Sequence, residues 1–148
     1  MIGNTIERLT YLCNTIPALL YTMPEEEFSN IPVSGKWSKK EIVGHLIDSA
    51  SNNHQRFIRA QFEEAPFIIY DQNKWNESSH YKEMDSHHVI SFWKDYNLHL
   101  LEIIKRIPAD NLSRECKTNE PQNVTLQWLI EDYVVHMEHH LRQILNYP

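Results

Sequence analysis

The stretch "YVVHMEHHLRQ", residues 133–143, carries His136, His139 and His140 on a segment that otherwise reads as an apolar helix. Imidazole is a mediocre helix former but a good metal ligand, so the spacing of these three carries chemical information. Residues four apart stack on one helical face about 6 Å apart along the axis, so His136 and His140 can reach one ion. His139 falls off that face. Asp132 one turn before and Gln143 one turn after continue it, which makes a polar stripe on a helix whose other face is apolar. Buried polar stripes are unfavourable unless something satisfies them.

Two imidazoles make a weak transition-metal site, so a third ligand is expected elsewhere. The segment "IVGHLIDSASNNHQRF" supplies it in His45, flanked by Val43, Leu46 and Ile47, with Asp48, Asn52 and Arg56 continuing the same face. A bundle that sets this face against that of His136 and His140 would build a three-histidine centre in its core. Three neutral imidazoles with open positions suit a catalytic centre, since structural zinc is usually closed by four ligands. Imidazole serves zinc, nickel, iron and copper alike, and zinc or nickel is the expected ion. Asp48, Asp132, Glu138 and Gln143 are candidates to orient the imidazoles through hydrogen bonds, Asp48 and Gln143 first among them. The opposing reading is that a histidine pair at this spacing is merely hydrogen-bonded, and a pair lacking the glutamate of HExxH is no metalloprotease signature. His54, His80, His87, His88 and His99 show no such arrangement and are expected at the surface or in caps.

Four amphipathic segments must position these residues. The first, Asn4 to Thr22, places Ile6, Leu9, Leu12, Ile16, Leu19 and Leu20 at helical spacing, with Pro17 as a point of kinking. The second starts at a capping box formed by Ser38 and Glu41, with Trp37 placed to staple against Ile42, and runs to about Glu64. The third spans Ser86 to Ile107 and is stopped by Pro108. The fourth spans Thr125 to Tyr147 with Leu126, Leu129, Ile130, Tyr133 and Val134 inward. Between the second and third lies "FIIYDQNKWNESSHYKEMDS", long for a connection and rich in aromatics, which points to an ordered, docked loop.

The composition agrees with one domain over residues 1–148: 148 residues, 41% apolar, and three glycines and seven prolines, too little turn material for a many-stranded sheet. An all-α four-helix bundle is the expected fold. A formal charge of −6 and the absence of a basic run argue against nucleic acid as a partner. No segment has the roughly 18 consecutive apolar residues of a membrane span, so a cytoplasmic protein acting on a small molecule is expected. Cys13 fits a buried apolar pattern, Cys116 falls in a polar connection, and both are expected as reduced thiols.

Three blocks in order, "KWSKKEIVGHLIDSASNNHQRFIRA" at 36–60, "YDQNKWNE" at 70–77 and "TLQWLIEDYVVHMEHHLRQI" at 125–144, resemble the DinB-like superfamily of metal-binding four-helix bundles, most closely its bacillithiol S-transferase branch. The resemblance implies an up-down-down-up bundle, metal ligation by His45, His136 and His140, and a homodimer as in several relatives. It also implies an open metal face where a thiol such as bacillithiol or a water can bind. Tyr70, Asp71 and Trp75 match the family's loop block. Tyr70 and Trp75 then either cover the metal or pin the loop, and Arg56 either holds an acidic group of a thiol cofactor or pairs with Asp48 or Asp132. Three functions stay open: transfer of a low-molecular-weight thiol, held as thiolate at the metal, to an electrophile; hydrolysis by metal-activated water; and a non-catalytic metal-binding or interaction bundle.

Overall fold

The computed structural model describes residues 2–148. Four long helices form its frame: α1 Ile2–Tyr21, α3 Lys39–Arg59, α5 Ser86–Ile104 and α6 Leu126–Ile144. Two short helices, α2 Glu25–Ser29 and α4 Gln72–Ser79, lie in the connections. The strands β1 Glu115–Cys116 and β2 Val124–Thr125 pair antiparallel just before α6. No helix among the described residues is long and apolar enough to cross a membrane.

The helix directions follow from which ends meet. Tyr21, at the end of α1, stacks on His87, at the start of α5, so these two are antiparallel. His45 early in α3 meets His136 and His140 late in α6, and Phe57 late in α3 meets Tyr133, so α3 and α6 are antiparallel too. Along α3 and α5, by contrast, Ile47 pairs in height with Val89 and His54 with Tyr96 and His99, a parallel arrangement. The result is the up-down-down-up bundle, with α3 touching both α5 and α6 and α1 likewise. One core joins all four, with Leu12, Ile16, Leu46, Phe57, Trp93, Leu100, Ile130 and Met137 fully enclosed.

Local chemistry sets the ends of α3. The capping box is closed in both directions: the Ser38 hydroxyl accepts from the Glu41 amide and the Glu41 carboxylate accepts from the Ser38 amide, each at 3.1 Å. The helix stops at Arg59 rather than Glu64, and the chain tightens there into turns, Gln61 and Phe62 donating their amides to the Ile58 and Arg59 carbonyls at 3.1 and 3.2 Å. Pro17 neither ends nor divides α1; its ring is buried within the helix. Helix α6 ends at Ile144, and the tail folds back so that the Tyr147 hydroxyl meets Glu138 at 3.3 Å.

The long connection 65–85 is partly helical. Asp71 caps α4 by accepting from the Lys74 amide at 3.0 Å, and His80 ends it in the left-handed conformation, φ 56°. A 3-10 turn, Tyr81–Glu83, then packs on α3 at Gly44, where a Cβ would overlap the Tyr81 ring. Cys116 lies in the polar connection between α5 and α6 but is not exposed. It is fully buried in β1, its Sγ 3.1 Å from the Pro66 carbonyl, which ties this strand to the start of the same connection.

Candidate metal centre

The antiparallel pairing of α3 and α6 brings His45 against His136 and His140. One ring nitrogen from each lies within 4.8 Å of the others. The Nε2 atoms of His45 and His136 are 3.3 Å apart. Two nitrogens each about 2.05 Å from one ion at a tetrahedral angle stand about 3.35 Å apart, so the pair is already spaced as ligands of one centre. His139 is exposed, and among the described residues its ring edges only against His140, at a ring separation of 5.2 Å.

Electrostatics keeps the trio neutral, the form that ligates. Burial, with the neighbouring imidazoles adding to it, pushes His45 down to about 3 and His136 down to about 4. Burial lowers His140 as well, against the opposing effect of its bond to Gln143. Protonating any one of them would place a cation beside two other rings where burial disfavours charge. The donor set therefore fits a divalent ion of the imidazole-seeking kind.

Each ring is held differently. The Nδ1–H of His140 donates to Oε1 of Gln143 at 3.1 Å, which leaves its Nε2 free for the centre. His45 is fully buried under the indole of Trp37, ring centres 4.9 Å apart, and its Nδ1 has no hydrogen-bond partner. Packing under Trp37 and the Nε2 contact with His136 fix that ring. Trp37, expected as a staple for Ile42, also roofs the deepest histidine; both residues line one cleft that opens beside His140 and Gln143.

The other candidates lie at varied distances from this centre in role. Asp48 is buried, with Oδ1 accepting from the Tyr81 hydroxyl and Oδ2 unpartnered. Asp132 is exposed and Glu138 faces away, clasping Arg8 at 2.6 and 2.9 Å. Arg56 pairs with neither Asp48 nor Asp132 by a salt bridge. Its Nη2 and Nε donate to the Ile68 carbonyl at 2.7 and 3.2 Å, which clamps the start of the long connection to α3. Tyr70 and Trp75 pack edge to face, 5.9 Å between centres, while Gln72 and Asn73 reach the cleft at His140. Of the remaining histidines, His54 is half-buried with its Nδ1 2.9 Å from the Tyr96 hydroxyl, a partnership its sequence context did not signal.

The family model of the DinB superfamily matches residues 8–144. The chain belongs to the DinB superfamily. Among superfamily relatives, a protein of Halalkalibacterium halodurans provisionally named a metal-dependent hydrolase is 22% identical over 140 residues, 94% of this chain and 81% of the relative. YfiT of Bacillus subtilis, provisionally named in the same way, is 26% identical over 112 residues, 74% of this chain and 63% of YfiT. The solved structure of YfiT, described as a probable metal-dependent hydrolase with an unusual four-helix bundle topology, superposes with a TM-score of 0.84 at 22% identity, covering 97% of this chain and 83% of that one. A second DinB-like protein of Bacillus subtilis superposes with a TM-score of 0.63 at 16% identity, covering 95% and 86%. These likenesses establish the bundle.

Proposed function

We propose that this protein is a metal-dependent enzyme that transfers a low-molecular-weight thiol of the bacillithiol type to an electrophilic small molecule, with His45, His136 and His140 as the ligands of one zinc or nickel ion. The observation that carries this reading is the convergence of three neutral imidazoles, and no carboxylate, beside an open cleft. A divalent ion held by three nitrogens keeps positions for an incoming group and lowers the pKa of a thiol or water that binds there.

The chain's own residues do the rest. Gln143 sets the His140 tautomer, and Trp37 excludes water from the His45 side. The cleft between the loop before α3 and the first turn of α4, about 430 Å³, gives the two reactants a common seat beside His140. In the net reaction a bond forms between the thiol sulfur and the electrophilic carbon, the leaving group departs with its electron pair, and the thiol proton passes to solvent.

The relatives' designation as hydrolases supports a second reading, in which water is the nucleophile. One experiment separates the two. Protein without a histidine tag, loaded with zinc or nickel, is given monochlorobimane with and without bacillithiol, and in parallel an activated ester in thiol-free buffer. Conjugation that needs both thiol and metal, and is lost in His136→Ala, is the expected outcome. Ester turnover without thiol, and no conjugation, would replace transfer by hydrolysis.

A further inference from the structure

Two buried side-chain atoms on α3 have no hydrogen-bond partner among the described residues, and they are of complementary kinds. His45 Nδ1 can carry a proton to donate, and Asp48 Oδ2 is a carboxylate oxygen that accepts. Their residues are 0% and 2% exposed, so bulk solvent satisfies neither. An unmet polar atom at such depth is the exception in folded proteins and calls for a specific partner.

The fold aims the carboxylate at the imidazole. Asp48 follows His45 by three residues, and side chains so spaced on a helix are neighbours, their Cβ atoms about 5–6 Å apart. Helical side chains lean toward the N-terminus of their helix, which carries the Asp48 carboxylate back toward the level of Gly44 and His45. Tyr81 takes one of its oxygens, the hydroxyl donating to Oδ1. The Tyr81 ring itself is seated at Gly44, where any Cβ would overlap it. With Oδ1 committed to Tyr81 on the Gly44 side, Oδ2 is the oxygen left for His45. The two orphaned atoms do not bond directly, and the spacing suits one water between them.

His140 shows what such a bond accomplishes, since donation of its Nδ1–H to Gln143 leaves its Nε2 for the centre. In His45 as well the central nitrogen is Nε2, 3.3 Å from that of His136. For that nitrogen to offer its lone pair, the ring proton must sit on Nδ1, and there it needs an acceptor. Glu138 is engaged by Arg8 and Asp132 is exposed, so neither competes with Asp48 for this place.

We propose that Asp48 fixes the tautomer of His45, its Oδ2 receiving the Nδ1–H through one bridging water, so that Nε2 faces the metal. This needs the three-histidine centre but not the transfer of a thiol. Asp48 is a positioning residue in this scheme. Tyr81 and Gly44 hold it in place, and the long connection thereby reaches the centre through one phenol and one carboxylate.

The test reads the ring and the metal separately. In full-length untagged protein freed of metal with a chelator, long-range proton–nitrogen NMR shows which nitrogen of His45 carries the proton, with His45→Gln supplying the assignment. Nδ1–H at pH 7.5 is expected, and Nε2–H would overturn the proposal whatever the variants do. Zinc affinity is then measured by competition with a chromophoric chelator. Asp48→Asn keeps the acceptor for Tyr81 but puts a donating amide nitrogen in the place of Oδ2, so zinc should bind about tenfold more weakly while Tm does not fall. A purely structural role would move Tm and affinity together. Tyr81→Phe, which frees the carboxylate, should weaken zinc by a smaller factor. Wild-type zinc affinity in Asp48→Asn would overturn the bridge. Nδ1–H at His45 in a wild type that binds no zinc upholds the hydrogen bond and overturns the metal centre.

Discussion

The Nε2 atoms of His45 and His136 lie 3.3 Å apart although 91 residues separate them in sequence. At that distance one nitrogen carries a hydrogen that the other accepts, so the two rings cannot both be protonated. Burial accordingly pushes them down to about 3 and about 4, below the 6.5 of a free imidazole. The sign follows directly: below pH 6.5 the unfolded chain takes up protons that the folded chain refuses, so stability is full above 6.5 and falls as the pH drops toward 4. Thermal melts of metal-free protein should show Tm declining over that window, and His45→Gln with His136→Gln should flatten the decline. An unchanged slope in the double variant would contradict this.

Asp48 acts in the opposite sense. Burial raises its carboxyl to about 6, against the opposing bond from Tyr81, while the unfolded group titrates near 3.8. The unfolded chain therefore loses this proton first as the pH rises, and stability declines from about pH 4 until the folded group ionises near 6. Asp48→Asn keeps an acceptor for the Tyr81 hydroxyl and removes the buried charge. Its Tm is expected to exceed that of wild type at pH 7.5, with the difference shrinking at pH 4, measured by differential scanning calorimetry.

Gln143 touches the centre only through His140. Gln143→Ala should leave the fold intact and reduce metal affinity about tenfold, the low end for loss of a ligand-orienting hydrogen bond at a partly exposed site. Competition with a chromophoric chelator measures this, and Gln143→Glu should restore affinity to wild type or better.

Arg56 holds the long connection through the Ile68 carbonyl. Arg56→Ala strands that carbonyl and should destabilise the protein by about 1–3 kcal/mol. Limited proteolysis should then cut between residues 65 and 85, a region expected to resist in wild type. Cleavage elsewhere first would argue against the clamp.

The parts of the molecule readable from sequence are those with local causes. The apolar spacing of Leu9, Leu12 and Ile16, the Ser38–Glu41 box and the four-residue step between His136 and His140 each depend on a single helix. The face shared by His45 and Asp48 pointed inward correctly for the same reason. Helices α2 and α4 were not legible, because five and eight residues carry too little periodicity and their signals are single caps such as Asp71. Arg56 was read as a partner of ligand or carboxylate, yet it serves a backbone carbonyl, which no side-chain pattern encodes. The cleft was equally hidden, since Lys36, Gln72 and Gln143 come from two connections and a helix far apart in sequence.

The central claim is that His45, His136 and His140 together hold one ion. Elemental analysis of protein purified without a histidine tag, dialysed against zinc or nickel and then against buffer, tests it most directly. One ion per chain is expected in wild type and in His139→Ala, and less than a tenth of that in His45→Ala and His136→Ala variants that still give a wild-type helical spectrum. Metal below stoichiometry in wild type that added ions do not restore, or full occupancy in His45→Ala, would contradict it.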